Sequence, residues 1–367
     1  MKATIAIVSE KGGEFEMKEV TITEPAAHEV LIKVMATGLC HTDLSVKAGN
    51  LPTNFPVVLG HEGAGVVEKV GSHVTGIQKG DHVVLSYGSC GNCRPCQEGD
   101  PAYCNRFQGL NFTNERLADN SAIYTSDKGK VNSAFFQQSS FATYAIAHER
   151  NTVKIDKNAE LKMMGPLGCG IQTGAGAVMN TLNPNPGSTL AVFGVGSVGL
   201  SAIMAANIAG CATVIAVDIN DDRLELAKEL GATHTINSKD KDAIEEIKAI
   251  TEEGVDYAVE ATGVKKVAGM AFESLAKRGT LAIVGAPPGG TEYAFDANNI
   301  ILSGRKIVGV VEGDSIVKIF IPKLIQLYDQ GRFPFDKLIA YYDFEDINQA
   351  FNDMEEGKVI KPIVVMP

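Results

Sequence analysis

Short runs of apolar and polar residues alternate over roughly the first quarter of the chain. Thr4–Val8, Glu16–Thr21, Val30–Ala36, Gly65–Val70 and His82–Leu85 are apolar or alternating, with Gly or Pro between them. Period-2 runs of this length, bounded by turn residues, predict β-strands and a compact β-rich domain. From Ser188 the rhythm changes. Thr189–Phe193 reads as a buried strand, the stretch after the turn at 194–199 as an apolar helix to about Ala209, and Thr213–Val217 as a strand that ends on Asp218. His234–Ile236, Asp256–Glu260, Thr280–Val284 and Ile307–Val311 continue the strand pattern, with helical segments between them. Six strands in this rhythm predict a doubly wound parallel sheet, so the fold class is α/β. Beyond residue 312 the pattern predicts helices near Ile316–Gln330 and Phe344–Glu356.

The turn after Thr189–Phe193 reads Gly194-Val-Gly-Ser-Val-Gly199. A lone GxGxxG says little. Here it follows a strand, opens a helix, and is followed by the acid Asp218, 19 residues after Gly199. That context is the dinucleotide-binding fingerprint of a Rossmann domain. Gly194 permits the tight turn, Gly196 lets backbone amides approach a pyrophosphate, and Gly199 lets helix and strand pack closely. The helix N-terminus supplies the positive end for the anion. Asp218 is expected to bind a ribose diol and to repel a 2′-phosphate, which favours NAD over NADP. Arg223, five residues on, is a cation that could accept that phosphate, so strictness is left open.

The 367 residues suffice for two domains, and the charged fraction of 21% is ordinary for a globular protein. A net charge of -11 with no Lys/Arg cluster excludes a nucleic-acid surface. No apolar run is long enough to span a membrane and the N-terminus lacks a signal-peptide pattern, so a cytoplasmic protein is expected. Four of the seven cysteines fall at Cys90, Cys93, Cys96 and Cys104, spaced C-x2-C-x2-C-x7-C. Crowded cytosolic cysteines read as metal ligands rather than disulfides. Four thiolates suit a closed structural zinc. An iron–sulfur cluster is the competing reading, although its fourth Cys comes sooner and precedes Pro, whereas Asn105 follows Cys104 here. Residues 105–142 form a long aromatic-rich stretch that either walls an apolar pocket or packs as a subdomain. Cys211 reads as small core packing, and His73 and His82 as structural.

Read together, Gly38-Leu-Cys-His-Thr-Asp43, Gly60-His-Glu-Gly-Ala-Gly65, the four-Cys lobe, Pro166-Leu-Gly-Cys-Gly-Ile-Gln-Thr-Gly174, the glycine turn and Val284-Gly-Ala-Pro-Pro288 resemble the zinc-dependent medium-chain alcohol dehydrogenases. The likeness runs over nearly the whole chain. It is nearest to the bacterial aryl (benzyl) alcohol dehydrogenases, through residues 135–145, 166–178 and 333–339. The resemblance implies a GroES-like catalytic domain over 1–170 and 312–367, with the zinc lobe at 88–105, and an NAD-binding Rossmann domain over 171–311. It implies two zinc ions per subunit. Cys40, His61 and Cys169 would hold the catalytic one and leave a fourth position for water or substrate oxygen. Glu62 would stand close enough to enter the shell transiently, and Asp43 would orient the His61 imidazole.

Thr42 would start proton removal from the alcohol, which must lose its proton before it gives up hydride. His41 and Lys361 would contact the pyrophosphate, and Thr173 would lie beside the nicotinamide. One position departs from the family: where many members carry a relay His, this chain has Ser45. The proton would then leave through Thr42, the cofactor ribose and water, or through Ser45. The expected activity is reversible NAD-dependent oxidation of a primary aryl or allylic alcohol to its aldehyde. Tyr87, Leu110 and Phe112 are candidate pocket residues, with core packing an equal alternative. The partners expected are the small alcohol or aldehyde and further copies of the chain, as a homotetramer or a dimer. Two other activities compete. A glutathione-dependent formaldehyde dehydrogenase would need cations such as Arg106 or Arg116. A zinc-free quinone reductase or non-catalytic relative would be expected to have lost the catalytic ligands that this chain keeps.

Overall fold

The computed structural model of the chain describes residues 1–114, 116–127 and 129–367. Two compact units emerge. The first comprises Met1–Gly170, Ile316–Ile325 and Asp336–Pro367, and the second Ile171–Ser315 and Gln326–Phe335. The return to the first domain, expected at residue 312, therefore comes at Ile316, and Gln326–Phe335 groups with the second unit. Residues 313–315 are held to the second unit by hydrogen bonds. Asn180 Nδ2 donates to the Gly313 carbonyl at 2.9 Å, Thr181 Oγ1 donates to Asp314 at 2.7 Å, and Ser315 Oγ donates to Gln172 at 2.9 Å.

The first unit is built on two sheets. One is five-stranded, in the order Val57–Val58, Lys2–Val8, Phe15–Ile22, Tyr124–Ser126, Gly129–Val131. The other runs Thr152–Ile155, His82–Leu85, Glu62–Val70, Glu29–Gly38, Lys361–Val365, Ile339–Asp343, with Tyr144–His148 also pairing to Glu29–Gly38. The five strands expected in this region are present, each within a few residues of its expected ends. Glu29–Gly38 organises the sheet. Its end Gly38 is opposite Glu62 on one side and Ile363 on the other. That register brings Cys40, His61, Glu62 and Lys361 to one end of the sheet, although they are far apart in sequence. The carboxyl-terminal helices form at Val317–Asp329 and Ile347–Glu355, close to their expected positions.

Residues 105–142 are more regular than their composition suggests. A helix spans Phe107–Phe112, a hairpin joins Tyr124–Ser126 to Gly129–Val131, and a 3-10 turn covers Phe135–Gln137. Arg116 anchors this region. It is buried against Glu29, with Nε 2.9 Å from both carboxylate oxygens.

The second unit contains the parallel sheet. Its order is His234–Asn237, Thr213–Asp218, Thr189–Phe193, Val255–Glu260, Leu275–Ile283, Lys306–Gly309. The crossover to the far side of Thr189–Phe193 is the topological switch of a doubly wound sheet. Its core packs Phe193, Ile215, Val217, Ile247, Phe272 and Leu281. Among the described residues, no helix is long and apolar enough to cross a membrane.

Candidate functional site

The centre starts from how one short helix begins. Cys40 is the N-cap of the helix His41–Lys47, in extended conformation, and Asp43 closes a capping box by accepting the Cys40 amide at 3.2 Å. The same carboxylate accepts the Gly60 amide at 3.0 Å and lies 3.1 Å from His61 Nδ1. Asp43 thus serves as helix cap and imidazole anchor at once, and it is fully buried. With Nδ1 donating to Asp43, the lone pair of His61 is on Nε2, which is buried without a hydrogen-bond partner. Thr42 Oγ1 lies 3.6 Å from Cys40 Sγ.

Cys169 follows the 3-10 turn Gly165–Gly168, packed so closely that a side chain at Gly168 would meet the Leu85 carbonyl at 2.0 Å. One donor atom each from Cys40, His61, Glu62 and Cys169 falls within 4.8 Å of the others. Two sulfurs and an imidazole nitrogen, gathered around a partnerless buried Nε2, fit a zinc ion in kind and in spacing. A hydrogen bond from Cys169 holds the Cys40 thiol well below its usual range, against burial and with help from His61. Burial opposes charge on His61, but Asp43 and Cys40 outweigh it and raise the imidazole well above its ordinary value.

Glu62 is not free to act as a simple ligand. Its Oε1 accepts the Gly170 amide at 3.1 Å, and Lys361 Nζ lies 2.9 and 3.0 Å from its two oxygens. Nζ also donates to the Leu39 carbonyl at 3.0 Å. Burial pushes Glu62 up to about 6 against the pull of Lys361. Burial works against the Lys361 charge, but Glu62 and Cys40 raise its pKa above the usual value. Lys361, expected to contact a pyrophosphate, has its hydrogen bonds here to Leu39 and Glu62. Its ammonium is fully enclosed and committed to Glu62, because an unpaired buried carboxylate would be far costlier. Gly38 belongs to the same arrangement, since a side chain there would meet Glu62 Oε2 at 2.0 Å.

Aromatic rings close the region around His61. Phe136 stacks on the imidazole at 4.5 Å, Phe135 meets it edge-on at 5.5 Å, and Phe112 packs against both phenyl rings. Tyr87 and Leu110 are buried, and Tyr87 packs on Phe107. In the sequence, Phe135 and Phe136 count among the aromatics of 105–142, with a pocket wall and a packed subdomain both open, and as marks of resemblance. Their contact with His61 spans more than seventy residues and has no periodic signal.

The four-Cys lobe is compact. All four sulfurs lie within 4.8 Å of one another, Cys93 and Cys96 at 3.4 Å. Backbone amides point at the sulfurs: Cys90 and Arg106 donate to Cys104 at 3.3 and 3.4 Å, and Asn105 donates to Cys93 at 3.4 Å. The amides of Cys96 and Asn105 hold the Cys93 thiol down at about 6, whereas burial pushes Cys96 up to about 12. Four sulfurs gathered in this way make a complete tetrahedral donor set and fit a structural ion.

In the second unit Gly194 has φ +87, and a side chain there would meet Thr262 Cγ2 at 2.4 Å. A side chain at Gly199 would meet the Gly194 carbonyl at 2.0 Å, while at Gly196 nothing lies within 4 Å. The first and last glycines are thus packed tight and the middle one opens outward. Asp218 accepts amides from Val195, Ile219 and Asn220 at 2.7, 2.7 and 3.0 Å. Arg223 lies in the first turn of the helix Asp221–Glu229, where Asn220 caps its amide at 3.3 Å. Thr173 is half-buried in the helix Gly170–Gly176. In the first unit, His41 is exposed and Ser45 half-buried in the helix His41–Lys47. Arg116, one of two cations considered for glutathione carboxylates, is spent on Glu29 instead.

A GroES-like β domain joined to a doubly wound parallel sheet, with one centre of Cys40, His61, Glu62 and Cys169 and one of four cysteines, defines a class of two-domain zinc dehydrogenases. Residues 26–157 match the family model of the alcohol dehydrogenase GroES-like domain, and residues 197–329 that of the zinc-binding dehydrogenases. A geraniol dehydrogenase of Castellaniella defragrans is 40% identical over 100% of this chain and 98% of its own length. The crystal structure of a benzyl alcohol dehydrogenase from Acinetobacter calcoaceticus superposes with a TM-score of 0.97 at 48% identity, covering 100% of both chains. An alcohol dehydrogenase zinc-binding domain protein from Burkholderia ambifaria gives 0.98 at 51% identity, over 100% of this chain and 99% of that one. The chain belongs to the zinc-dependent medium-chain alcohol dehydrogenase family and is an enzyme of that type.

Proposed function

We propose that this enzyme interconverts primary aryl or allylic alcohols and their aldehydes with NAD, by hydride transfer. The observation that carries the reading is the convergence of Cys40, His61 and Cys169 under a cover of Phe135, Phe136 and Phe112. The geraniol and benzyl alcohol dehydrogenases are named for alcohols whose carbinol carbon adjoins an unsaturated carbon, and such a substrate suits an aromatic surround. A zinc ion held by those three side chains would supply a Lewis acid for the substrate oxygen.

The protein's own groups do the rest. Asp43 fixes the His61 tautomer. Lys361 keeps Glu62 charged and turned to one side. Thr42 takes the alcohol proton and passes it outward through water or Ser45. His41 binds the cofactor pyrophosphate and Thr173 lies beside the nicotinamide. Gly194, Gly196 and Gly199 bring the pyrophosphate onto the helix Ser197–Ala209, and Asp218 favours the ribose diol of NAD, with Arg223 nearby. The catalytic domain comprises residues 1–170 and the carboxyl-terminal segment, and 171–311 binds the cofactor. We place the protein in the cytoplasm as a homotetramer that pairs through Lys306–Gly309, a sheet edge near the exposed Ile301 and Leu302.

A panel of benzyl, cinnamyl, allylic and short aliphatic alcohols, each with NAD and with NADP, tests this reading. The highest kcat/KM is expected for benzyl or cinnamyl alcohol with NAD. A preference for ethanol would overturn the substrate class, and a preference for NADP would overturn the cofactor.

A further inference from the structure

The donors of the mixed centre come from separate stretches of chain, and buried side chains tie those stretches together. Asp43 ties Cys40 to His61. Lys361 and Glu62 tie Leu39 to Gly170. Besides the Glu62–Gly170 hydrogen bond, a glutamine links the His61 stretch to the Cys169 stretch. Gln138 is fully buried. Its Nε2 donates to the His61 carbonyl at 2.8 Å and to the Ser86 carbonyl at 3.1 Å, and its Oε1 accepts the Gly63 amide at 3.2 Å. Ser86 Oγ donates to the Gly168 carbonyl at 2.6 Å, beside Cys169. Carbonyls can only accept, so the orientation of the Gln138 amide is fixed by its partners.

We propose that Gln138 is a positioning residue of the metal centre: through Ser86 it sets the spacing between the His61 and Cys169 donors. The proposal rests on reading Cys40, His61 and Cys169 as ligands. The segment that carries Gln138 supports it independently. Ala134, Phe136, Gln137 and Ser139 have φ of 71, 50, 54 and 49. Non-glycine residues rarely adopt this region, and a run of them persists only where the surroundings enforce it. Ser139 enforces it here by donating to the Val58 carbonyl at 2.7 Å and accepting the Phe135 amide at 2.9 Å, and Ser140 pairs with Thr37 at 2.8 Å. The strained turn lays the Phe136 ring on the imidazole of His61 and the Gln138 amide against its backbone. A glutamine buried merely for packing would have no reason to divide its two N–H groups between the His61 carbonyl and the Ser86 segment that holds Gly168.

The test loads the full-length protein with cobalt(II). It reads the ligand-field spectrum and the rate at which a chelator removes each ion, with the four-Cys ion as internal reference. Gln138→Met keeps the volume and deletes all three hydrogen bonds. It is expected to shift the ligand-field bands and to speed release from the mixed centre by about 10- to 100-fold, the range for lost outer partners of a metal ligand. Release from the four-Cys lobe stays at its original rate. A variant with the parent spectrum and release rate overturns the proposal, as does equal acceleration at both centres. Should Gln138→Met fail to fold, Ser86→Ala, which removes only the hydroxyl to Gly168, carries the same test. A parent protein that takes up cobalt in the four-Cys lobe alone overturns the ligand reading itself, and the proposal falls with it.

Discussion

The four-Cys lobe and the mixed centre both gather thiols, yet they are assembled by opposite means. In the lobe the donors lie between Cys90 and Cys104, and the same short segment supplies the amides that point at them. In the mixed centre, Cys40, His61 and Cys169 come from distant segments, and a second layer of buried polar groups brings them together. Sulfur encloses the first on all sides. The second offers three strong donors, with its acid held by a lysine 299 residues away. A local, closed set is suited to holding shape. A distributed set with one donor position left over is suited to chemistry, and it depends on the whole sheet for its geometry.

The largest effect that would sharpen this contrast is expected from Cys169→Ser. Loss of several kcal/mol of charge stabilisation should lower kcat/KM by roughly a thousandfold or more. Elemental analysis should show one ion per subunit in place of two, and a variant that keeps both ions and full activity breaks the assignment. Cys96→Ser should do the reverse. Thermal unfolding should begin several degrees lower, while the fraction still folded turns over at nearly the parent rate. If activity vanished while stability held, the two centres would have been read the wrong way round.

Asp43→Asn keeps the helix cap but weakens the hold on His61. Zinc affinity at the mixed centre should fall about 10- to 100-fold, seen by competition with a chelator. The smallest change is Ser45→Ala, which should leave kcat within several-fold of the parent. A loss of about a hundredfold would make Ser45 an obligatory proton carrier, since a positioned proton-transfer group contributes on that order.

Much of this was legible because the signals were local. The strand rhythm revealed five strands of the first unit and the parallel sheet of the second, and the glycine turn with Asp218 marked the cofactor fold. Cys90 to Cys104 announced their lobe by spacing alone. Cys40, His61 and Cys169 were legible only through resemblance, since nothing in their own neighbourhoods forces them together. The pairing of Lys361 with Glu62 was hidden for a related reason. A lysine next to Pro362 carries no sign that its strand will pair with Glu29–Gly38 and drive its ammonium into the interior. Residues 105–142 looked irregular because Arg116 pins them from within, and Glu29, its partner, lies on a distant strand. Gln138 was silent too: in Phe136-Gln-Gln-Ser-Ser-Phe141 four polar residues stand between aromatics, as they would in any surface loop, and only packing reveals that all four are buried.

The position of Lys361 imposes an order on biosynthesis. A ribosome releases Glu62 long before the cation that must neutralise it, whereas Cys90 to Cys104 emerge almost together. The thiol lobe can therefore mature on the growing chain. The reactive centre waits for the strand Lys361–Val365, and a polypeptide halted short of it would carry a stranded negative charge beside its donors.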